Sequence, residues 1–228
     1  MAPLTKTLRL TITAEKKNSP REFDFTVRHL FCGGFTGRNQ EAVKKHIEEM
    51  ASVGIPAPER TPALYHISPY LITTDSEIEV VGDKTSGEVE PVLLIGAEET
   101  YLTVGSDQTD REVERLSYPK SKQICGKAVA KEVWRFSDIR NHFDNLILRS
   151  KVEKDGKTYL YQEGPAGLLT KPFDLLSMYG VGDEGTVLFS GTIPTKTGQL
   201  IYADHYRIEL IDPVLNRRIT HTYSIKTL

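Results

Sequence analysis

The sequence predicts a β-dominated α+β fold with few helices, and three observations carry that expectation. Short segments alternating apolar and polar residues recur along most of the chain, turn-forming clusters of Gly, Pro, Asn and Asp separate them, and only one long segment has helical spacing. No regular alternation of strand and helix patterns supports a doubly wound sheet. Internal repeats and low-complexity tracts are absent from the sequence.

Met1 to Thr13 sets Leu8, Leu10 and Ile12 against Arg9 and Thr11, and Glu22 to Leu30 sets Phe23, Phe25 and Val27 against charged neighbours. The two segments predict a hairpin across the polar turn Glu15 to Pro20, so residues 1–30 read as an N-terminal β hairpin and 31–228 as the body. After the loop Gly33 to Gly37, the stretch Asn39 to Val53 places Val43, Ile47, Met50 and Ala51 on one helical face, with Asn39 as N-cap. The helix stops before Gly54-Ile55-Pro56-Ala57-Pro58. Strands are then expected at Ala63 to Ile67, Glu77 to Val81, Glu88 to Ile95, Tyr101 to Val104, Asn145 to Val152, Thr158 to Glu163, Thr186 to Gly191, Tyr206 to Ile211 and Ile219 to Ile225. Further helices are expected only at Trp134 to Phe143 and Pro172 to Met178.

With 228 residues, 39% hydrophobic and 26% charged, the chain can bury a core large enough to fold without cross-links. Its 29 basic and 31 acidic residues are interspersed, so no broad positive field is available for a phosphate backbone and nucleic acid is not an expected partner. Cys32 and Cys125 lack Cys-x-x-Cys or zinc-finger spacing and are expected as reduced, buried thiols. The N-terminal segment is too polar for a signal peptide or a membrane span, which makes the cytoplasm the expected location.

In Gly87-Glu88-Val89-Glu90 the two carboxylates stand two residues apart in a strand, on one face and about 7 Å apart along the backbone. Two anions on one face need a cation. Glu77-Ile78-Glu79 has the same spacing, so spacing alone does not choose between the pairs. The choice rests on Gly105 to Glu112, where an apolar strand runs into small and acidic residues. A hairpin turning at Gly96 to Glu99 brings Asp107 back beside Glu88 and Glu90. Three carboxylates without Cys or His suit a hard, oxygen-ligated ion, Mg²⁺ first, with Mn²⁺ or Ca²⁺ as alternatives. His46 and Glu49, three apart on one helix face, form a pair in which the carboxylate can orient the imidazole.

Glu88-Val89-Glu90 followed by an apolar strand ending Ile95-Gly96, and then Ser106-Asp107-Gln108-Thr109-Asp110-Arg111-Glu112, resemble two motifs of the fumarylacetoacetate hydrolase superfamily. These are metal-dependent carbon–carbon bond hydrolases, decarboxylases and isomerases. The resemblance implies a mixed β-sandwich roll with Glu88, Glu90 and Asp107 as metal ligands. It also assigns Arg111 to substrate binding. Lys120-Ser121 stands where the superfamily has a Lys-Ser or Lys-Gly whose lysine reaches substrate, with Lys122 and Lys127 close by as rivals for that place. Ser190-Gly191-Thr192-Ile193-Pro194 is similar to Thr-Gly-Thr-Pro with one added residue, which makes Thr192 a carboxylate-binding group. Gly37-Arg38-Asn39 followed by His46-Ile47-Glu48-Glu49 resembles the lid helix, with His46 and Glu49 as the proton-transfer pair. Ser106, Glu112 and Asn216 depart from the superfamily's Asn, Asp and Gly, and the likeness is to a compact, chiefly bacterial branch.

The function so implied is that of a divalent-metal-dependent enzyme, most simply a homodimer, acting on a small 2-oxo acid or 1,3-dicarbonyl compound by hydrolytic C–C cleavage. Decarboxylation, isomerisation or dehydration at the same site is the alternative, and a non-catalytic ligand-binding β scaffold is a second.

Overall fold

The computed structural model describes residues 4–13, 20–52 and 54–228. The chain runs through β1 (Lys6–Ile12), β2 (Arg21–Val27), β3 (His29–Gly34), α1 (Gln40–Ser52), β4 (Ala63–Ile67), β5 (Ile72–Thr73), β6 (Glu77–Val80), β7 (Thr85–Ser86), β8 (Val89–Ile95), β9 (Thr100–Asp107) and β10 (Thr109–Asp110). It continues through α2 (Arg111–Glu114), α3 (Tyr118–Gln123), β11 (Lys127–Val129), β12 (Glu132–Arg135), α4 (Phe136–Ile139), β13 (Ile147–Lys154), β14 (Lys157–Pro165), α5 (Pro172–Tyr179), β15 (Thr186–Phe189), β16 (His205–Asp212) and β17 (Arg217–Thr227). Strands dominate and the sheets are mixed, as the sequence predicts.

The large sheet has the order β2-β1-β12-β9-β8-β15-β3-β4, with β11 and β5 attached beside β9. Residues from distant parts of this path, among them Leu10 of β1, Leu94 of β8, Val187 of β15 and Ile67 of β4, share one buried cluster, so the sheet curls around them. The opposite face packs against the sheet β14-β13-β16-β17-β6, where Leu93, Leu102 and Val104 meet Leu148, Leu210 and Ile219. Alternation along β8 drives both contacts. Val92 and Leu94 enter one core while Val89 and Leu93 enter the other, which explains a strand apolar on both faces.

The N-terminal hairpin is an integral part of the large sheet, because β1 pairs with β12 in parallel. Of the expected turn Glu15 to Pro20, residues 15–19 lie outside the described residues, as does Val53 at the expected end of the first helix. Asn39 caps α1 as expected, its side chain accepting from Ala42 N at 3.1 Å. Two expectations need correction. Trp134 belongs to β12, and only Phe136–Ile139 of the expected helix is α-helical, because the 3₁₀ turn Phe143–Asn145 already leads into β13. The stretch Glu22 to Leu30 divides into β2 and β3, which pair with different neighbours.

Candidate metal centre

Glu88 immediately precedes β8 and Glu90 lies within it, while Asp107 ends β9. The antiparallel register sets Glu90 opposite Gly105 and Val89 opposite Ser106, which carries Asp107 back to the start of β8. The expected hairpin therefore forms, and Glu88, Glu90 and Asp107 each offer a carboxylate oxygen, all within 4.8 Å of one another. Glu77 and Glu79 lie on β6 in the other sheet, away from these three.

The backbone at this turn is held from below. Ser106 Oγ accepts from Glu88 N at 3.1 Å and from the Tyr223 hydroxyl at 2.7 Å. A Cβ at Gly87 would stand 2.4 Å from the Tyr223 hydroxyl and 2.5 Å from Ser106 Oγ, so only glycine lets this network close.

Each carboxylate has a different environment. Glu88 is one-fifth exposed and pairs with Arg111 Nη2 at 3.0 Å, an ion pair off the line of a hydrogen bond. Asp107 is fully buried, with Lys122 Nζ 2.5 Å from Oδ2 and Lys127 Nζ 3.1 Å from Oδ1. Burial alone would raise the Asp107 pKa, but the two lysines outweigh it and hold the carboxyl at about 2. Glu90 is also fully buried, accepts from Gly191 N at 2.8 Å through Oε2, and leaves Oε1 without a partner. Burial, then Asp107 and Glu88, push its pKa well above the usual carboxylate range. A divalent cation would reverse that push, and the orphaned Oε1 is the lone pair it would use. The donor set is all oxygen, so the residues fit a hard ion.

The structure places the remaining predicted residues less uniformly. Lys120 is exposed, so the assignment of the site lysine to it is corrected: Lys122, two residues on in α3, is buried against Asp107 and Glu88. The short helix turns Tyr118, Ser121 and Lys122 inward and Lys120 outward. Arg111 is buried too, its Nε donating to Ser86 Oγ at 2.7 Å and its Nη1 to Glu114, so it secures Glu88 and is not open to a substrate. Thr192 stands beside the centre, but its hydroxyl donates to Val89 O at 2.8 Å and accepts from Gln162 Nε2 at 2.8 Å. Its one proton is engaged, so in this arrangement it cannot donate to a substrate carboxylate.

His46 and Glu49 are exposed on α1, which buries none of its residues. Glu49 faces Lys45 at 3.7 Å rather than His46. The His46 ring stands 6.3 Å from Phe35, which meets Tyr118 edge-on at 5.4 Å, and Tyr118 stacks on Tyr65 at 5.9 Å. Both ends of α1 are pinned: Arg38 forms a two-pronged pair with Asp144 at 2.7 and 2.8 Å, and Pro56 O accepts from the Tyr118 hydroxyl at 3.0 Å. Cys32 and Cys125 are both free and buried, as expected, and burial, then Asp107, pushes the Cys32 thiol well up.

Lys127, a rival for the site lysine in the sequence, takes a part that the sequence does not indicate. Its ammonium has no exposed surface and donates to the carbonyls of Gln108, Lys122 and Cys125 at 2.6, 2.6 and 2.9 Å. No spacing rule marks such a lysine.

A family model described as a protein of unknown function, DUF2848, matches residues 33–223, a span that includes all three carboxylates. The chain belongs to the DUF2848 family. No curated protein matches it. Among solved structures, this DUF2848 chain is similar to Cg1458, with a TM-score of 0.64 and 15% identity over 97% of this chain and 89% of that one. It is also similar to the apo form of 2-keto-3-deoxy-D-arabinonate dehydratase, with a TM-score of 0.61 and 16% identity over 93% and 78%. A third is 4-oxalocrotonate decarboxylase from Pseudomonas putida G7, complexed with magnesium and adipate, with a TM-score of 0.55 and 14% identity over 86% and 77%. At such identities the likeness is one of fold.

Among the described residues, no helix is long and apolar enough to cross a membrane.

Proposed function

We propose that this DUF2848 chain is a divalent-metal-dependent enzyme of the fumarylacetoacetate hydrolase superfamily, acting on a small 2-oxo acid or 1,3-dicarbonyl substrate. The observation that carries the proposal is the convergence of Glu88, Glu90 and Asp107 within 4.8 Å, with Lys122 and Arg111 packed against them. The fold supports it: the dehydratase is also known as a complex with magnesium and 2,5-dioxopentanoate, with a TM-score of 0.55 to this chain.

The divalent ion supplies the positive charge that favours enolate character in the substrate. The chain's residues do the rest. Four carboxylates, those of Glu88, Glu90, Asp107 and Glu114, face the cations of Arg111, Lys122 and Lys127, so a divalent ion turns the local excess positive and suits the site to an anionic substrate. Lys122 supports developing oxyanion charge, taking the role first assigned to Lys120. We assign His46 on α1 to moving a proton or activating water, with Glu49 turning from Lys45 to orient it as the helix closes over the site. Thr192 and Arg111 act as positioning residues for the strand and the carboxylate they hold.

Hydrolytic C–C cleavage is the reaction we assign first. Dehydration or decarboxylation is the second reading, favoured by the activities named for two of the fold neighbours. Incubation with acylpyruvates, oxaloacetate, 2-keto-3-deoxy acids and 1,3-diketones, with and without Mg²⁺, tests both. Mg²⁺-dependent turnover of any of them supports the enolate chemistry, and the product identifies the reaction. Failure of native protein to bind Mg²⁺ or Mn²⁺ removes its basis.

A further inference from the structure

Asp107 is gripped by two lysines that differ in kind. Lys127 is fixed: all three of its donors reach backbone carbonyls, and its ammonium lies 3.1 Å from Oδ1 with no exposed surface. Lys122 is held more lightly. Its Nζ makes one described hydrogen bond, to Asp107 Oδ2 at 2.5 Å, and stands 3.8 Å from Glu88 Oε2. Asp107 and Glu88 are two of the three residues that converge as a cation-binding group. An ammonium and a divalent ion therefore call on the same two carboxylates. Like charges a few ångströms apart in a buried site repel strongly, and a double charge doubles the effect.

We infer that Lys122 is an exchangeable counter-cation, which yields Asp107 to the incoming ion and is thereby released to meet an anionic substrate, while Lys127 keeps Asp107 in place throughout. The inference rests on the metal-site reading above and adds an order to it, ion first and acid second. Lys127 is a positioning residue in this scheme. Lys122 has two successive partners, a carboxylate of the protein and then a carboxylate or oxyanion of the ligand. The stem of α3 favours such a movement, since the Lys122 backbone is anchored by its carbonyl to Lys127 and only the side chain has to swing.

The test uses the full chain, Mn²⁺ as the ion and oxalate as the acid. Lys122→Met is expected to bind Mn²⁺ about tenfold or more tightly by calorimetry, because the competing charge is gone. The same variant, loaded with Mn²⁺, is expected to bind oxalate more weakly than the wild type. Lys127→Met is expected to move Mn²⁺ affinity the other way, and exposed Lys120→Met to leave it unchanged. A mere field effect would instead make both buried-lysine variants tighter. In the wild type, which carries no folding risk, the side-chain ammonium resonance of Lys122 is expected to shift on adding Mg²⁺ while that of Lys127 stays.

Equal or weaker Mn²⁺ binding by folded Lys122→Met, or a Lys122 resonance indifferent to Mg²⁺ that does bind, overturns the inference and leaves the metal site standing. Absence of ion binding in every protein overturns the metal site, and the inference with it.

Discussion

Arg111→Met is expected to destabilise the native chain by about 3 kcal/mol, through the carboxylates it would leave behind. The guanidinium is 8% exposed and its partners Glu88 and Glu114 are 21% and 12% exposed, so the pairs lie near the buried limit. Removing one partner of a buried pair costs about 3–5 kcal/mol, whereas exposed pairs contribute about 1 kcal/mol or less. The partial exposure of Glu88 argues for the lower end of the buried range. Such a loss is a large part of the roughly 5–15 kcal/mol that holds a domain together. With a urea dependence near the upper end of about 1–3 kcal/mol per molar, the unfolding midpoint is expected to fall by about 1 M with an unchanged slope. Arg111→Lys is expected to recover little, because one ammonium cannot span Ser86, Glu88 and Glu114 as the fork does. Exposed Arg115→Met is the control and is expected to change stability by less than about 0.5 kcal/mol. A midpoint within about 0.3 M of wild type for Arg111→Met would refute the assignment of this network to the buried regime.

Glu88→Ala and Glu90→Ala are expected to abolish Mn²⁺ binding measured by calorimetry, and Glu77→Ala and Glu79→Ala to leave it intact; the reverse pattern would move the centre to β6. His46→Ala is expected to lower turnover by about 10²-fold, the usual scale for a lost proton-transfer group, without changing thermal stability, since the ring is exposed. Full activity would place the proton transfer elsewhere. Gly191→Ala is expected to weaken both folding and ion binding: its φ is +95°, the new Cβ would stand 1.9 Å from Thr36 Oγ1, and its N–H holds Glu90. Burial would raise the Asp212 pKa, but Leu215 N, His142 and Arg217 outweigh it and hold the carboxyl below its usual value. A depressed carboxyl contributes stability above its unfolded pKa and loses it as pH falls through the folded one. Asp212→Asn is therefore expected to flatten the acid side of the stability profile, followed by urea unfolding from about pH 6 to pH 3.

Much of this architecture is legible in the sequence because its strands alternate cleanly. The β8–β9 hairpin could be read from an apolar run, a Gly96 turn and a second apolar run, and that pairing is what brings Asp107 to Glu88. Helix α1 could be read because Val43, Ile47 and Met50 repeat at helical spacing behind a capping Asn39. The site lysine could not be chosen without α3. Once Tyr118–Gln123 is a helix, Tyr118 and Ser121 give its buried face and Lys122 falls on it, but Pro119 and the polar run Lys120 to Gln123 hide so short a helix. The part Lys127 plays was illegible for another reason. Its burial depends on carbonyls from two separate places, Gln108 after β9 and Lys122 and Cys125 at the end of α3, a tertiary coincidence that leaves no periodicity. Arg111 and Thr192 stand beside the centre, yet their partners lie across other strands, and only the fold reveals that these groups are already engaged.

Helix α1 adds nothing to the packed interior, although both of its flanks are anchored. Selection on folding constrains buried positions and leaves such a segment nearly free to drift. The carboxylates lie in the opposite situation, on or directly beside paired strands where most substitutions disturb a ladder or a core. Evolutionary change in chemistry therefore has an open route through residues 40–52 and a closed one through the centre. Two members of this family that share the three carboxylates but differ across that helix are natural candidates for different reactions on related acids.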